Sequence, residues 1–204
     1  MTRDATARLF VAIDPPADVR EGLLAWARAA TARLPMQREQ GAPAGMRLLE
    51  PEGLHVTLCF LGGRPVGEIA EIAAVLSGCA TRVGELSLGA PLWLPPRRPR
   101  ALAVEIHDDR DGGLARLHGA LRGALADAVG WQPERRRFKA HITVARMRGR
   151  SAIRRSAQAE EAALPATPPL NFTPEAIVLY RSWLSPAGAS YQALVTCDLL
   201  AAER

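Results

Sequence analysis

LHVTLCFLG at residues 54–62 and FKAHITVAR at residues 138–146 decide the fold of this chain. Both stretches are rich in aliphatic and β-branched residues, a composition that predicts buried strands. Each also contains the triplet His-x-Thr, at residues 55–57 and again at residues 141–143. Random placement of the same residues predicts only about 0.2 such triplets, so a chance pair is improbable.

The alternation of side chains along a strand gives each triplet a polar face. Residues i and i+2 point to the same side, so His55 and Thr57 share one face of their strand. His141 and Thr143 share a face of the other strand for the same reason. The residues expected to point the opposite way, into a core, are Val56, Leu58, Ile142 and Val144.

Paired imidazoles and hydroxyls are typical of acid–base chemistry at phosphorus. Histidine titrates near neutrality, so one ring can accept a proton while its partner donates one. The threonine hydroxyls can donate to non-bridging phosphate oxygens. This set needs no metal and no cofactor, and the sequence has no Gly-rich phosphate loop of the P-loop type.

The composition is that of an ordinary globular domain, with 204 residues, 48% hydrophobic and 23% charged. No signal peptide or membrane span is apparent, and the three scattered cysteines predict neither a disulfide framework nor a zinc site. We therefore expect a cytoplasmic monomer that does not bind membranes. The net charge of +5 favours polyanions such as RNA, although Lys139 is the only lysine and codon bias also explains the arginine richness.

The order of predicted elements is mixed, which indicates an α+β domain with mostly antiparallel sheet. Predicted strands are residues 8–14, 46–49, 54–61, 85–88, 100–106 and 138–147, followed by a hairpin of residues 177–184 and 191–199. Predicted helices are residues 19–34, 66–76, one after Gly112-Gly113 and a polar one at 151–163. Gly62-Gly63 is expected to end the strand before it.

Two further stretches, RLFVAIDPP at residues 8–16 and LYRSWLSPAGASY at residues 179–191, complete a resemblance that covers nearly the whole chain. The sequence resembles the 2H (two-histidine) phosphoesterase superfamily, in its RNA 2′,3′-cyclic phosphodiesterase or 2′-5′ RNA ligase branch. The resemblance implies one domain, residues 1–204, with two pseudo-symmetric lobes. Each lobe would carry a mostly antiparallel sheet with helices outside, and the motifs would face each other across a cleft.

The resemblance also implies catalytic roles. His55 would protonate the leaving ribose O3′ and His141 would activate water, with a 2′-phosphomonoester as product. Thr57 and Thr143 would hold the phosphate. Leu48 and Lys139-Ala140 depart from residues common in the branch, which bears on substrate preference more than on catalysis.

Phe60 and Arg146, each five residues after its histidine, would flank the nucleobase by the same resemblance. A regular strand places an odd offset on the opposite face, so this position requires a β-bulge or a strand end. A core position for Phe60 and a solvated charge at Arg146 are the structural alternatives.

The expected partners are RNA ends or nucleotides that carry a 2′,3′-cyclic phosphate. Three other functions remain open at this stage. The same residues could join such an end to a 5′-hydroxyl without ATP, as a 2′-5′ RNA ligase. The chain could also be a non-catalytic nucleotide or RNA-binding module, or a phosphodiesterase of small cyclic nucleotides.

Overall fold

A computed structural model describes residues 5–32, 46–96, 99–147, 164–185 and 188–200. The predicted helix at residues 151–163 lies outside these ranges. Four arginines, Arg97, Arg98, Arg148 and Arg150, also lie outside them.

The described elements are strands and helices in mixed order, which confirms the α+β class. The strands are β1 (Thr6–Ile13), β2 (Met46–Leu48), β3 (Val56–Pro65), β4 (Leu86–Leu94), β5 (Ala101–His107), β6 (His141–Met147), β7 (Asn171–Phe172), β8 (Ala176–Ser185) and β9 (Gly188–Asp198). The α-helices are α1 (Ala17–Ala32), α2 (Ile69–Cys79) and α3 (Gly113–Val129), and short 3-10 turns span Pro51–Gly53 and Val66–Glu68.

The described strands form one sheet in which every strand pair is antiparallel, although neighbours in the sheet are often not consecutive in sequence. Their order is β7-β4-β5-β6-β3-β1-β8-β9, and β2 pairs with the edge of β6 left free by β3. The two halves meet at β3 and β6 through a single residue pair, Val56 opposite Ile142. The two predicted sheets are thus two halves of one hydrogen-bonded sheet, joined at the point where the motifs lie.

The helices cover the apolar side of this sheet, as their spacing predicts. In α3 the residues Leu114, Leu117, Leu121 and Leu125 recur at helical spacing and are fully buried. The start of α3 is capped from a distance, because the Asp108 carboxylate accepts hydrogen bonds from the backbone N–H groups of Leu114 and Ala115. No helix in the described segments has the length and apolarity that a membrane crossing requires.

The expected end of the predicted strand 54–61 at Gly62-Gly63 is wrong, because β3 continues to Pro65. The register against β1 shifts between Leu9 and Phe10, which leaves Leu61 as an extra residue of β3. Gly62, with φ of 73°, follows it directly. A glycine in the left-handed region accommodates a β-bulge within a continuing strand, so here it bends the strand instead of ending it.

Other boundaries move in the same region of the sheet. The residues before His141 are not in a strand, so β6 starts three residues later than predicted. Strand β4 extends to Leu94, beyond the predicted end at Leu88, since it pairs with β5 along most of its length. The two-residue strand β7 was not predicted, and it exists only through its pairing with β4.

Candidate active site

The seam between β3 and β6 brings the two triplets together. Because Val56 lies opposite Ile142, the antiparallel register places His55 across from Thr143, and Thr57 across from His141. All four side chains lie on the face opposite the core. The expected inward residues Val56, Leu58, Ile142 and Val144 are buried, which confirms the predicted alternation.

Each motif strand carries a β-bulge at the third residue after its histidine. In β3 the register against β1 skips Leu58, and in β6 the register against β5 skips Val144. Each bulge reverses the alternation, so Phe60 and Arg146 return to the face of the histidines. Phe60 is 36% exposed between buried neighbours, and Arg146 is also exposed. The bulge required for both positions is therefore present, whereas their roles stay predictions.

A cavity of about 570 Å³ opens on this face. Five of the six predicted site residues line it, namely Thr57, Phe60, His141, Thr143 and Arg146. Its cationic lining includes Arg100, Arg122, Arg136, Arg137 and Lys139. Sequence reasoning missed Arg122, because nothing in the α3 sequence shows that this exposed helix position faces the cleft.

His55 lies behind this cavity in an aromatic pocket. Its ring centroid is 4.8 Å from that of Phe10, 5.2 Å from Tyr191 and 6.0 Å from Tyr180. Its Nδ1 atom is buried and has no hydrogen-bond partner among the described residues. Burial is the largest cause that lowers the pKa of His55 to about 4, and the positive charge of Arg146 adds to it. The ring is therefore neutral at pH 7 in the free protein.

His141 has a different environment at the mouth of the cleft. Its Nδ1–H donates to the backbone carbonyl of Lys139 at 2.7 Å, since a carbonyl can only accept. This bond fixes the tautomer and leaves Nε2 as the atom that can exchange a proton. Lys139 in turn contacts Glu105, which lies opposite His141 on β5, with Nζ 3.2 Å from Oε1.

A larger cavity, about 720 Å³, lies on the far side of Tyr180. Neither triplet lines it. The Tyr180 hydroxyl there donates to Asp14 at 2.5 Å, and Asp14 pairs with Arg20 at 3.3 Å. Because these groups are already partnered, we place the candidate site in the smaller cavity that the triplets line.

Cys59 and His118, two further reactive side chain types near the motifs, are packed against other side chains. Cys59 is 2% exposed, and burial raises the pKa of its thiol to about 12, so it is a packing residue and not a nucleophile. His118 stacks on Phe138 with centroids 4.0 Å apart. Within the described ranges, no three His, Cys, Asp or Glu side chains are grouped as metal ligands.

Known proteins are similar in sequence to this chain over most of its length. An RNA 2′,3′-cyclic phosphodiesterase of Archaeoglobus fulgidus is 30% identical over 142 residues, which cover 69% of this chain and 73% of that protein. The Thermus thermophilus protein of the same name is 28% identical over 199 residues, 92% and 87% of the two chains.

Solved structures match the fold as well. A crystal structure of a protein from Thermus thermophilus superposes with a TM-score of 0.72 at 28% identity, covering 94% of this chain and 97% of the other. Escherichia coli LigT, complexed with 3′-AMP, gives 0.72 at 22% identity with 96% and 99% covered, a likeness of fold alone. The model of the 2′-5′ RNA ligase superfamily matches residues 15–183. The chain therefore belongs to the 2′-5′ RNA ligase superfamily.

Proposed function

We propose that this chain hydrolyses RNA ends that carry a 2′,3′-cyclic phosphate, leaving a 2′-phosphomonoester. The observation that carries the proposal is the seam, where each histidine lies across from the threonine of the other motif. We place the phosphate among these four side chains, where it would meet two imidazoles and two hydroxyls. The names of the relatives from Archaeoglobus and Thermus support the substrate class.

The reaction needs two proton transfers at one phosphorus. His141 Nε2 takes a proton from water as the water oxygen bonds to phosphorus. The bond between phosphorus and O3′ breaks, and His55 gives its proton to O3′. Thr57 and Thr143 donate hydrogen bonds to the non-bridging oxygens, where negative charge increases in the transition state. Exchange with solvent then returns each ring to its starting protonation state.

The base of the terminal nucleotide is proposed to lie between Phe60 and Arg146. Both line the cavity together with Thr57, His141 and Thr143. The guanidinium of Arg8 already lies over Phe60, 4.6 Å from the ring centroid, so the ring is held in place. Aromatic rings and guanidinium planes are common stacking partners for an unpaired base.

His55 must gain its proton when substrate binds, because its pKa of about 4 makes the free ring neutral at pH 7. After burial, the positive charges of Arg146 and Arg20 lower this pKa, and the electrostatic interaction with His141 adds to them. A phosphate anion in the cleft offsets positive charge beside His55. The anion therefore favours the protonated ring at the moment when an acid is needed.

An NMR titration of His55 tests this coupling. In the free protein the ring should titrate near pH 4, and adenosine 2′-phosphate should raise its pKa by at least one unit, since the anion stabilises the charged form. Arg146→Ala should raise the pKa of the free ring, because one neighbouring positive charge is removed. A value near 6.5 that the ligand leaves unchanged would contradict the coupling.

Activity should survive chelation, because imidazoles and hydroxyls supply every proton and hydrogen bond in the scheme. The test uses an oligoribonucleotide that ends in a 2′,3′-cyclic phosphate, incubated with and without EDTA, with product analysis by ³¹P NMR. The expected product is the 2′-phosphomonoester at an unchanged rate. Loss of turnover in EDTA that a divalent ion restores would refute the mechanism.

A second arm of that assay adds an oligoribonucleotide with a 5′-hydroxyl. The superfamily whose model matches the chain is named after 2′-5′ RNA ligation. In that reaction a ribose hydroxyl attacks phosphorus in place of water. If joined product predominates over 2′-phosphate at equal concentrations of both oligonucleotides, ligation replaces hydrolysis as the proposed function.

Thr57→Ala and Thr143→Ala should each weaken phosphate binding through loss of one hydroxyl donor. The expected cost is about 1–3 kcal/mol, because the hydroxyl acts in a site that substrate closes from water. Inhibition constants for inorganic phosphate and kcat/KM for the cyclic substrate measure it. Thr6→Ala, at an exposed position of β1, is the matched control. Equal losses in all three variants would argue against phosphate contact.

A further inference from the structure

The cavity extends beyond the His-x-Thr residues toward α3 and the segment that leads into β6. Arg122 projects from α3, and Arg136 and Arg137 come from that segment, and all three line the cavity that Thr57 and His141 also line. We call these three residues the arginine arm. All three are exposed to solvent.

The arginine arm has an excess of positive charge. Its guanidinium groups take part in none of the ion pairs found among the described residues. Glu134 is the one acidic residue among the described residues that line the cavity. A groove that concentrates unpaired cations favours a polyanion, because each phosphate it binds releases condensed counterions.

A stacked pair fixes the geometry of the arm. His118 packs on Phe138 with centroids 4.0 Å apart and an interplanar angle of 9°. This contact attaches the segment of Arg136 and Arg137 to α3, where Arg122 lies one turn after His118 on the same face. Burial and the charge of Arg122 lower the pKa of His118. Its ring therefore serves as neutral packing between the arginines.

We propose that the arginine arm binds the phosphodiester that precedes the terminal nucleotide, so that the chain acts on RNA strand ends in preference to mononucleotide cyclic phosphates. The inference rests on the proposed function. A mononucleotide has a single phosphate, which binds to the four motif residues. No phosphate is then left to contact the arginine arm. A strand adds another phosphate one nucleotide away, which we place on the side of the cavity where these cations lie.

The test compares adenylyl-(3′→5′)-adenosine 2′,3′-cyclic phosphate with adenosine 2′,3′-cyclic phosphate. The dinucleotide should have at least about tenfold higher kcat/KM at low salt, with a salt dependence steeper by about 0.7 per phosphate contact. The Arg122→Ala, Arg136→Ala, Arg137→Ala triple variant should bring the ratio of the two values to within about twofold of one. Arg28→Ala, at an exposed position of α1, is the matched control and should keep the wild-type ratio.

A chemical variant makes the test independent of folding. A dinucleotide whose internal linkage is an uncharged methylphosphonate keeps both bases and the cyclic phosphate. Wild-type protein should hydrolyse it at the mononucleotide rate. If the wild-type protein hydrolyses both natural substrates with equal kcat/KM, or the methylphosphonate keeps the full preference, the arginine arm is refuted while the proposed function stands. If no cyclic phosphate is hydrolysed, the proposed function itself fails.

Discussion

Replacing either His55 or His141 by alanine should lower kcat/KM for a 2′,3′-cyclic phosphate RNA end by roughly 10²–10⁴, the usual contribution of a general acid or base. Each ring performs one of the two proton transfers. Loss of either ring therefore slows the same step, in which water bonds to phosphorus and O3′ leaves. The double variant should lose much less than the product of the two single losses, because the pair works as a unit. Steady-state kinetics on the four proteins measures all of these effects.

Two controls separate chemistry from folding. His107→Ala removes an exposed histidine at the end of β5, outside the residues that line the cleft, and should keep wild-type activity. His55 is packed among the rings of Phe10, Tyr180 and Tyr191, so alanine would leave a gap there. His55→Gln fills more of this space than alanine and is therefore assayed as well. The melting temperature of each variant is measured alongside its activity. Nearly full activity in a folded single variant of His55 or His141 would overturn the two-histidine mechanism.

Local patterns predicted the elements whose structure depends on nearby residues. The leucines of α3 recur at helical spacing, and the apolar run of β1 is buried from Leu9 to Ile13. The hairpin was predicted from two apolar runs separated by Ser185-Pro-Ala-Gly188, and β8 and β9 pair antiparallel. Where pairing with distant strands sets the boundary, prediction failed, as at β7, which consists of two residues held by β4.

For the candidate site, too, local features could be predicted from the sequence, whereas contacts between distant segments could not. The two triplets could be inferred from the sequence itself, whereas the need for a bulge or a strand end before Phe60 followed from the family resemblance together with strand alternation. Their meeting at the pair of Val56 and Ile142 depends on the register of strands far apart in sequence. The same holds for the pocket around His55, whose aromatic rings come from β1, β8 and β9. A single sequence contains no direct signal for such register.

The assignment of acid and base is open to a sharper test than loss of activity. A bell-shaped pH profile has the same form whichever ring donates, because it reports the pair and not either residue. The assignment matters most for His55, because a pKa of about 4 leaves its ring unprotonated in the free protein, which is the state that a general base requires. The scheme proposed here makes His55 the acid only after phosphate has entered the cleft.

A substrate whose leaving group needs no proton should separate the two roles. In 3′-deoxyadenosine 2′-(p-nitrophenyl phosphate), p-nitrophenolate replaces O3′ and departs as a stable anion, while water must still be activated. His55→Ala should therefore lose less than about tenfold on this diester against roughly 10²–10⁴ on the cyclic phosphate, whereas His141→Ala should lose about the same on both. Release of p-nitrophenolate, followed by absorbance, measures the rate. The reverse pattern would make His55 the base and His141 the acid, in keeping with a ring that burial holds neutral.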